Sequence, residues 1–299
     1  MNGSDSIVGI SLSSQTIQVV EMEHSRESKT VLAMGEFPST IGQAGGDSVH
    51  GFRAFVESFS GFLKTQGIKA KKVSVALDTS MMFLHTLPVE DTLSRAEVNE
   101  QLTWELTQYF PETNVKEFIT DVHVLTKHPI DHWKEILSVS VRKKDTLWVQ
   151  NAISSIGRTL HILDVDHFAA ETALRVNYPD TNLKDLALVG IKKHRLDISL
   201  VRKGVMESYK YFLVDSDAEI IEQMGALARD ARGVFSIVAY GPHLDNNLLV
   251  EIRRTSNILV EALNPFRHVN VSRSVKVEEN LGGPSYRFAA AVGVALRQD

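Results

Sequence analysis

Residues that could bind a nucleotide phosphate stand near the amino terminus, where the segment 7–20 is typical of a strand, a tight polar turn and a second strand. A phosphate-binding hairpin of this form needs a carboxylate after its first strand to hold Mg²⁺. It also needs a glycine in its turn, because a Cβ would keep the backbone N–H groups away from the phosphate. The chain has Ser11 and Ser13 at these two places. We therefore expect the hairpin to keep its shape without its chemistry.

The hairpin resembles that of the nucleotide-binding actin superfamily, and this resemblance implies a second phosphate-binding turn after the apolar run 186–189, with an Asp followed two residues later by a Gly. The chain has Gly190 and Lys192 at these positions. Lys192, Lys193 and Arg195 could still attract an anion, because long basic side chains neutralise phosphate without a close backbone approach. The alternative, which the composition of the segment favours, is a basic turn that faces solvent.

The same resemblance implies a third motif, a glycine-rich loop beneath the adenosine, after the apolar run 236–238. One glycine, Gly241, remains there, and Tyr240 and Pro242 add bulk and rigidity where the purine and ribose would lie. The sequence therefore predicts an altered cleft at all three turns. Its candidate residues are Gly9, Ser11, Ser13, Ser14, Gly190, Lys192, Lys193 and Gly241.

Composition excludes several classes of protein. The 299 residues are 43% hydrophobic, which is enough for a sizeable core and suggests two packed domains. The absence of cysteine excludes disulfide scaffolds, cysteine zinc sites and cysteine nucleophiles. A net charge of −5 and a pI of about 6.1, with no basic stripe, argue against nucleic acid as a partner. The sequence shows no signal peptide and no bilayer-length apolar run, so we expect a cytoplasmic protein.

Hydrophobic periodicity predicts the elements of the first half. Phenylalanines from Phe52 to Phe62 recur at helical spacing, which favours a core face over a cofactor-stacking box, and Gly67 is a natural stop. Ser94 and Glu97 form a capping box that begins a second helix, which Pro111 ends. The predicted strands are 7–12, 16–22, 30–37, 73–77, 82–87, 117–125, 135–141 and 160–165, with a break at Pro38 and 42–46, and further helices begin at Asp145 and Asp166.

The second half begins as the first does, with strands predicted at 186–191, 196–201 and 205–213 and a helix at 217–230. Two strand meanders that are each followed by helices indicate an internal duplication. This pattern favours the duplicated RNase-H-like core of the actin superfamily, with a cleft between its halves. A turn-rich stretch at 179–182 is the candidate boundary, which gives lobes at 1–180 and 181–299.

Five segments carry a resemblance to a known family. They are Trp104-Glu105 with Gln108-Tyr109-Phe110-Pro111, Val139-Ser140-Val141-Arg142-Lys143, Asp164-Val165-Asp166-His167-Phe168-Ala169, Leu263-Asn264-Pro265-Phe266 and residues 288–296. In this order and spacing they resemble PilM, the actin-like cytoplasmic family of type IV pilus machinery. The resemblance implies an α/β, actin-like fold of two lobes around a cleft. It also implies an FtsA- and PilM-type extra subdomain at about 89–157 and a shortened outer subdomain in the second lobe.

The resemblance also implies a partner. PilM proteins bind the cytoplasmic N-terminal tail of PilN, a single-span inner-membrane protein, in a groove between the first core subdomain and the extra one. Trp104, Tyr109 and Phe110 are the candidate groove residues, because aromatic side chains give large contact area at low entropic cost. We expect a scaffold that reaches the inner membrane through its partner without inserting into it, and that can form homo-oligomers.

PilM proteins bind ATP, and at this point the chain departs from the family. Without an acid to hold Mg²⁺ or to orient water, phosphoryl transfer lacks its main electrostatic supports. We therefore expect a pseudo-ATPase with no cofactor. The alternative is an active or nucleotide-switched ATPase of the same machinery. A degenerate actin-like component of a type II secretion system and an FtsA-like filament former are further alternatives.

Histidine-rich segments offer two other chemistries, and we expect neither. His123, His128 and His132, with Asp121 or Asp131, contain enough ligands for a metal, but their spacing fits no known metal motif and favours a solvent-facing turn. A catalytic triad built on His161 or His167 with Asp164 or Asp166 would lack a nucleophile.

Overall fold

The computed structural model describes residues 5–26, 28–39, 49–128, 132–230, 233–273, 275 and 284–297. The predicted break at 42–46 lies outside the described residues, as does Asp131 of the histidine-rich segment. The strands of the first half are β1 (Asp5–Leu12), β2 (Thr16–His24), β3 (Lys29–Pro38), β4 (Lys72–Leu77), β5 (Phe83–Glu90), β6 (Phe118–His128), β7 (Trp133–Arg142) and β8 (Thr159–Val165). Its α-helices are α1 (Val49–Thr65), α2 (Arg95–Tyr109), α3 (Lys143–Ser155) and α4 (Asp166–Asn177).

The second half has strands β9 (Leu186–Lys192), β10 (Arg195–Arg202), β11 (Val205–Leu213), β12 (Ser236–Tyr240), β13 (Leu259–Ala262) and β14 (Asn270–Val271). Its described α-helices are α5 (Asp217–Asp230), α6 (Asn246–Thr255) and α7 (Ala289–Leu296). The predicted elements are confirmed in type and order. One predicted cap is wrong: Arg142 precedes α3, and Asp145 lies in the first turn of that helix.

The two large sheets repeat one topology. The first sheet has the order β14-β3-β2-β1-β4-β8, and the second has the order β11-β10-β9-β12-β13. In each, an antiparallel three-strand meander is followed by two strands that run parallel to its first strand. The predicted internal duplication is therefore present. The equivalent hairpin turns, β1–β2 and β9–β10, lie on one cleft between the sheets.

Helices cover both faces of the first sheet. On one face, α1 and α3 bury aromatic side chains, and the rings of Phe55 and Phe59 stack at a centroid distance of 5.7 Å. This confirms that the phenylalanine row of α1 is a core face. On the other face lie α4 and α7, and every residue of α7 is buried because it is enclosed by β1, β2, β4 and α4. Residues Ala170 and Leu174 of α4 also pack into the core of the second sheet. The two helices therefore form a shared layer between the sheets.

Small residues make this shared layer possible. A Cβ on Gly293 of α7 would lie 1.7 Å from the carbonyl oxygen of Ala169 in α4, and a Cβ on Gly9 of β1 would lie 2.2 Å from the carbonyl oxygen of Ala291. Both distances are far below any contact that a real carbon could make, so backbone packs on backbone at these points. Gly9, which the sequence placed in the cleft, instead lies where β1 touches α7.

A separate three-stranded sheet, β5-β7-β6, carries α2 on one side. The predicted capping box is confirmed: the Ser94 hydroxyl accepts from the Glu97 N–H at 3.3 Å, and the Glu97 carboxylate accepts from the Ser94 N–H at 2.8 Å. This sheet begins with β5, ahead of residue 89, whereas α3 packs through Val149 and Ile153 onto the first large sheet. The lobe boundary at residue 180 stays a prediction. Beyond it, β14 and α7 pack with the first sheet.

Substitution of Gly293 tests the backbone contact between α7 and α4. We expect Gly293→Ala to lower the free energy of unfolding by about 3 kcal/mol or more, because the added methyl overpacks a site that has no room. The matched control is Gly61→Ala in α1, where a Cβ would meet no atom within 4 Å, so the helix propensity of alanine should raise stability by about 0.5–1 kcal/mol. Urea unfolding measures both changes, and equal effects of the two substitutions would contradict the close packing.

A buried carboxyl in the same layer should make stability depend on pH. Burial raises the pKa of Glu171 in α4 to about 7, and the nearby Asp164 adds to this while Arg175 and Arg297 oppose it. The folded protein therefore keeps the proton of Glu171 at pH values where the unfolded chain has lost it. As a result, the stabilising contribution of this group is present below about pH 4.5 and is lost as the pH rises to about 7.

The Glu171→Gln variant keeps a neutral side chain at every pH. We expect its free energy of unfolding, relative to that of the wild type, to rise by about 2–3 kcal/mol between pH 5 and pH 8. Urea unfolding at both pH values measures this gain. Glu57→Gln, on the exposed side of α1, is the control and should show no such gain. A difference between Glu171→Gln and the wild type that does not change with pH would contradict the shifted pKa.

Candidate functional site

Two aspartates mark the end of neighbouring parallel strands in the first sheet. Asp78 follows β4 directly, and its carboxylate accepts a hydrogen bond from the Ser80 N–H at 2.8 Å, which caps the short 3₁₀ turn Thr79–Met81. Asp166 follows β8 as the first residue of α4 and accepts from the Thr79 N–H at 3.3 Å. Both carboxylates are buried and are oriented by backbone groups, so they face the second sheet from fixed positions.

Lys192, at the end of β9 in the second sheet, reaches these carboxylates. Its Nζ lies 2.7 Å from Asp166 Oδ2, 3.0 Å from Asp197 Oδ2 and 3.2 Å from Asp78 Oδ1. It also donates to the hydroxyl of Thr79 at 2.5 Å. The ammonium is buried, so its charge is compensated inside the protein and not by water. Lys192 thus connects the two large sheets across the cleft.

Asp197 of β10 links this lysine to a second group of side chains. Its Oδ1 accepts from Arg195 Nε at 2.8 Å and from the Tyr209 hydroxyl at 2.6 Å, and the Thr79 hydroxyl donates to Oδ2 at 2.7 Å. Arg195 also lies over the ring of Tyr211, with its guanidinium carbon 3.8 Å from the ring centroid. The ionic network therefore continues from the cleft to the outer strand β11.

The charges in this network shift one another's pKa values. Burial alone would raise the pKa of Asp197, but Lys192 and Arg195 outweigh it and hold that pKa well below its usual range. For Lys192, burial opposes the charge, yet Asp166, Asp197 and Asp78 raise its pKa above the ordinary value. Burial raises the pKa of Asp166, although Lys192 opposes the shift. Lys192 and Asp197 are therefore firmly ionised, and Asp166 keeps a proton more readily than Asp197.

A neutral hydrogen-bonded group of three side chains lies behind this network. His167 Nδ1 is 2.9 Å from the Tyr240 hydroxyl, and its Nε2 is 3.0 Å from Ser199 Oγ. Burial lowers the pKa of His167 to about 4, so the imidazole is neutral at pH 7. Tyr240 was predicted to add bulk where a purine would lie, but its side chain is buried and points into the core. A Cβ on Gly190 would lie 2.8 Å from its hydroxyl oxygen, so Gly190 leaves room for this tyrosine.

The amino-terminal hairpin uses its own polar groups. The Ser13 hydroxyl accepts from the Gln15 N–H at 3.3 Å and from the Thr16 N–H at 3.1 Å, and it donates to the Thr16 carbonyl at 2.9 Å. These are N–H groups of the turn that a phosphate would need as donors. Gly241, at the third turn, has φ +126°, and a Cβ there would lie 2.3 Å from the Ile191 carbonyl oxygen, so the residue is required for backbone packing.

The cleft itself is an opening of about 330 Å³. Of the predicted residues, Ser13, Ser14, Lys192 and Lys193 line it, whereas Gly9, Ser11, Gly190 and Gly241 do not. The other lining residues are Gln15, Asp78, Ser80, His194, Arg195, Leu213 and Pro242. The prediction that the second turn is a basic segment facing solvent is wrong for Lys192 and Arg195, which are buried on carboxylates. Lys193 is exposed, as that prediction requires.

Sequence reasoning missed the three carboxylates of the cleft. Positions 11 and 190 hold no acid, whereas the structure supplies Asp78, Asp166 and Asp197 from other elements. The signal was available for two of them, because Asp78 and Asp166 each follow a predicted apolar strand directly. In this arrangement the three carboxylates already share an internal cation.

A second candidate site is an aromatic groove, which we define by Phe83, His85, Tyr109, Phe110 and Phe118. Its rings form a continuous row of contacts. Between ring centroids, Phe83 lies 4.8 Å from Tyr109 and 5.2 Å from Phe110, and Phe110 lies 5.1 Å from Phe118. Two hollows of about 320 Å³ and 200 Å³ adjoin Phe83. The larger one reaches Tyr211 of β11, and the smaller one reaches Arg142 and Asp145 at the start of α3.

The predicted groove residues do not share one surface. Tyr109, which is 50% exposed, and Phe110 belong to the aromatic groove. Trp104 is 60% exposed and follows the buried Leu102 by two residues, which at about 100° per residue places it on the opposite side of α2. Trp104 thus lies apart from the other two.

The described part of the chain contains no group of three His, Asp or Glu side chains arranged to hold a metal ion. His132 lies in a turn with φ 53° after the undescribed residues 129–131. Among the described helices, none combines the length and apolar character that a bilayer span requires.

Comparison with solved structures identifies the fold. The chain is similar to a chain in the structure of a PilM–PilN type IV pilus biogenesis complex, with a TM-score of 0.78, 18% identity, and 97% of this chain and 98% of that chain covered. It also resembles a Bacteroides thetaiotaomicron protein with an actin-like ATPase fold (TM-score 0.55, 11% identity, 89% and 93% covered). A third similar structure is the cytoplasmic domain of EpsL, an inner-membrane component of the Vibrio cholerae type II secretion system (TM-score 0.51, 11% identity, 99% and 96% covered).

These likenesses confirm the predicted α/β, actin-like fold class. No curated protein sequence matches the chain. A model of the family described as type IV pilus assembly protein PilM matches residues 9–209, which is more than half of the chain. The chain therefore belongs to the PilM family of type IV pilus assembly proteins.

Proposed function

We propose that this protein is a cytoplasmic scaffold of a type IV pilus assembly that binds the N-terminal cytoplasmic tail of a PilN-like inner-membrane protein. Family membership and the similar PilM–PilN complex support the partner class. The observation that carries the proposal is the aromatic groove, whose connected rings leave two hollows open beside Phe83. The protein would then reach the inner membrane through that tail.

The chemistry of the groove suits a short peptide. Phe83, Tyr109 and Phe110 offer ring faces for an apolar anchor residue, which is the kind of contact that dominates peptide affinity. Arg142 and Asp145 border the smaller hollow and Lys210 the larger one, so the rim can pair with charged and polar groups of the tail. An apolar centre with a charged rim is the usual anatomy of a binding site for a peptide or protein.

A binding experiment tests this proposal. The probe is a fluorescent peptide with the sequence of the N-terminal cytoplasmic tail of a PilN-like protein from the same organism, and fluorescence anisotropy measures its Kd. We expect Tyr109→Ala and Phe110→Ala each to weaken binding about tenfold or more, because truncating an aromatic anchor in a groove costs about 1–3 kcal/mol.

Trp104→Ala is the matched control, because it removes an exposed aromatic residue from the same helix on the side away from the groove. We expect it to change the Kd by less than about twofold. Circular dichroism verifies that each variant is folded. Unchanged binding by a folded Tyr109→Ala, Phe110→Ala double variant would exclude the groove, and the absence of binding by the wild type would exclude the tail as partner.

We further propose that the scaffold acts without hydrolysing ATP. The support is that Lys192 pairs with the three carboxylates of the cleft, and that Ser13 takes N–H groups that could receive phosphate. We expect no Mg²⁺-dependent phosphate release above that of buffer and no ATP binding by calorimetry. Tight, Mg²⁺-dependent ATP binding that is abolished by substitution of Ser11 or Lys192 would support the alternative, a nucleotide-switched ATPase.

A further inference from the structure

The contacts of Lys192 resemble those of a bound metal ion. Four oxygen atoms lie within 3.2 Å of its Nζ: one from each of Asp78, Asp166 and Asp197, and the hydroxyl of Thr79. Three of these residues belong to the first sheet side of the cleft, and Asp197 belongs to the second. Carboxylate and hydroxyl oxygens are the ligands that Mg²⁺, Ca²⁺ and Mn²⁺ prefer.

The position of the ammonium is fixed by the chain around it. Lys192 is the last residue of β9 and pairs in register with Arg195 across a tight turn, so its side chain starts from a rigid hairpin. Arg195 neutralises the other oxygen of Asp197 and brings the buried group to three carboxyls and two cations. The ammonium fills the space between the carboxylate oxygens, so a divalent ion could enter only if the ammonium left.

We propose that Lys192 is a built-in cation that occupies the carboxylate site of the cleft permanently, excludes divalent metal from it and fastens the second sheet to the first. This inference concerns the cleft and holds whichever partner the aromatic groove binds. It predicts that the latent metal site will appear when the lysine is shortened, because the three buried carboxyls would then lose the cation that lies between them, while Arg195 still compensates Asp197 from its other oxygen.

The test uses the full chain with Lys192→Ala and measures Tm in EDTA and in millimolar Ca²⁺ or Mn²⁺. In EDTA we expect Tm to fall by about 10 °C relative to the wild type, as for other broken buried ion pairs. Divalent cation should restore much of this loss in the variant and leave the Tm of the wild type unchanged. Calorimetric titration with Mn²⁺ alone should show one site in the variant and no binding at this site in the wild type.

Two controls separate this effect from general destabilisation. Lys193→Ala removes the neighbouring exposed lysine of the same turn, and it should change neither Tm nor Mn²⁺ binding. Lys192→Ala combined with Asp78→Asn and Asp166→Asn removes the repelling charges. This triple variant should recover stability without metal and should not bind Mn²⁺.

The proposal is overturned if Lys192→Ala keeps the wild-type Tm in EDTA, or if it folds but binds no Ca²⁺ or Mn²⁺. It is also overturned if the wild type binds Mn²⁺ in a manner that Asp166→Asn abolishes. Where Lys192→Ala alone does not fold, the triple variant decides: recovery of the fold supports a charge-compensating lysine, and continued failure to fold contradicts it.

Discussion

A buried charge must be compensated inside the protein, and this constraint governs the centre of the molecule. Lys192 could not lie between two sheets without Asp78, Asp166 and Asp197, and those carboxylates could not be buried together without it. Because the partners come from both sheets, compensation also decides how the sheets lie against each other. The polar contact across the cleft and the apolar layer of α4 and α7 behind it therefore both hold the two sheets in the same relative position.

The apolar layer depends on a different constraint: small residues must stand where its helices and strands approach one another most closely. Gly293 and Gly9 let α7 approach α4 and β1 so closely that no larger residue fits. Tyr240 and Gly190 repeat this relation in the second sheet, where a large ring fills the space that a missing Cβ leaves. Glycines that in a nucleotide-binding protein would suggest phosphate contacts here allow close packing, against backbone at Gly9 and Gly241 and against a ring at Gly190. A glycine at a motif position thus indicates that another group packs closely on its backbone, and the neighbouring atoms show whether that group is a phosphate, a backbone segment or a side chain.

Local patterns were enough to predict most of the fold. The strand meanders, the phenylalanine face of α1 and the capping box at Ser94 are set by residues near one another in sequence, so periodicity and capping rules found them. The candidate site was predicted less well because its members are distant in sequence. Lys192 reads as an exposed turn residue until Asp78 and Asp166, more than twenty positions away, are known to face it. The sequence also did not show which face of α2 borders the aromatic groove. Helix periodicity gives the angle between Trp104 and its neighbours on the helix, but tertiary packing decides which face lies beside the groove.

The Lys192 side chain has one more consequence, which concerns time. A bound nucleotide or metal has an occupancy that varies with concentration and with hydrolysis, and such variation lets a protein alternate between states. An ammonium that is covalently part of β9 is present from translation onwards, cannot be depleted and has no dissociation rate. If Lys192 is this permanent cation, the state of the cleft does not change with time through ligand binding or hydrolysis. The timing of assembly would then have to come from the arrival and departure of protein partners.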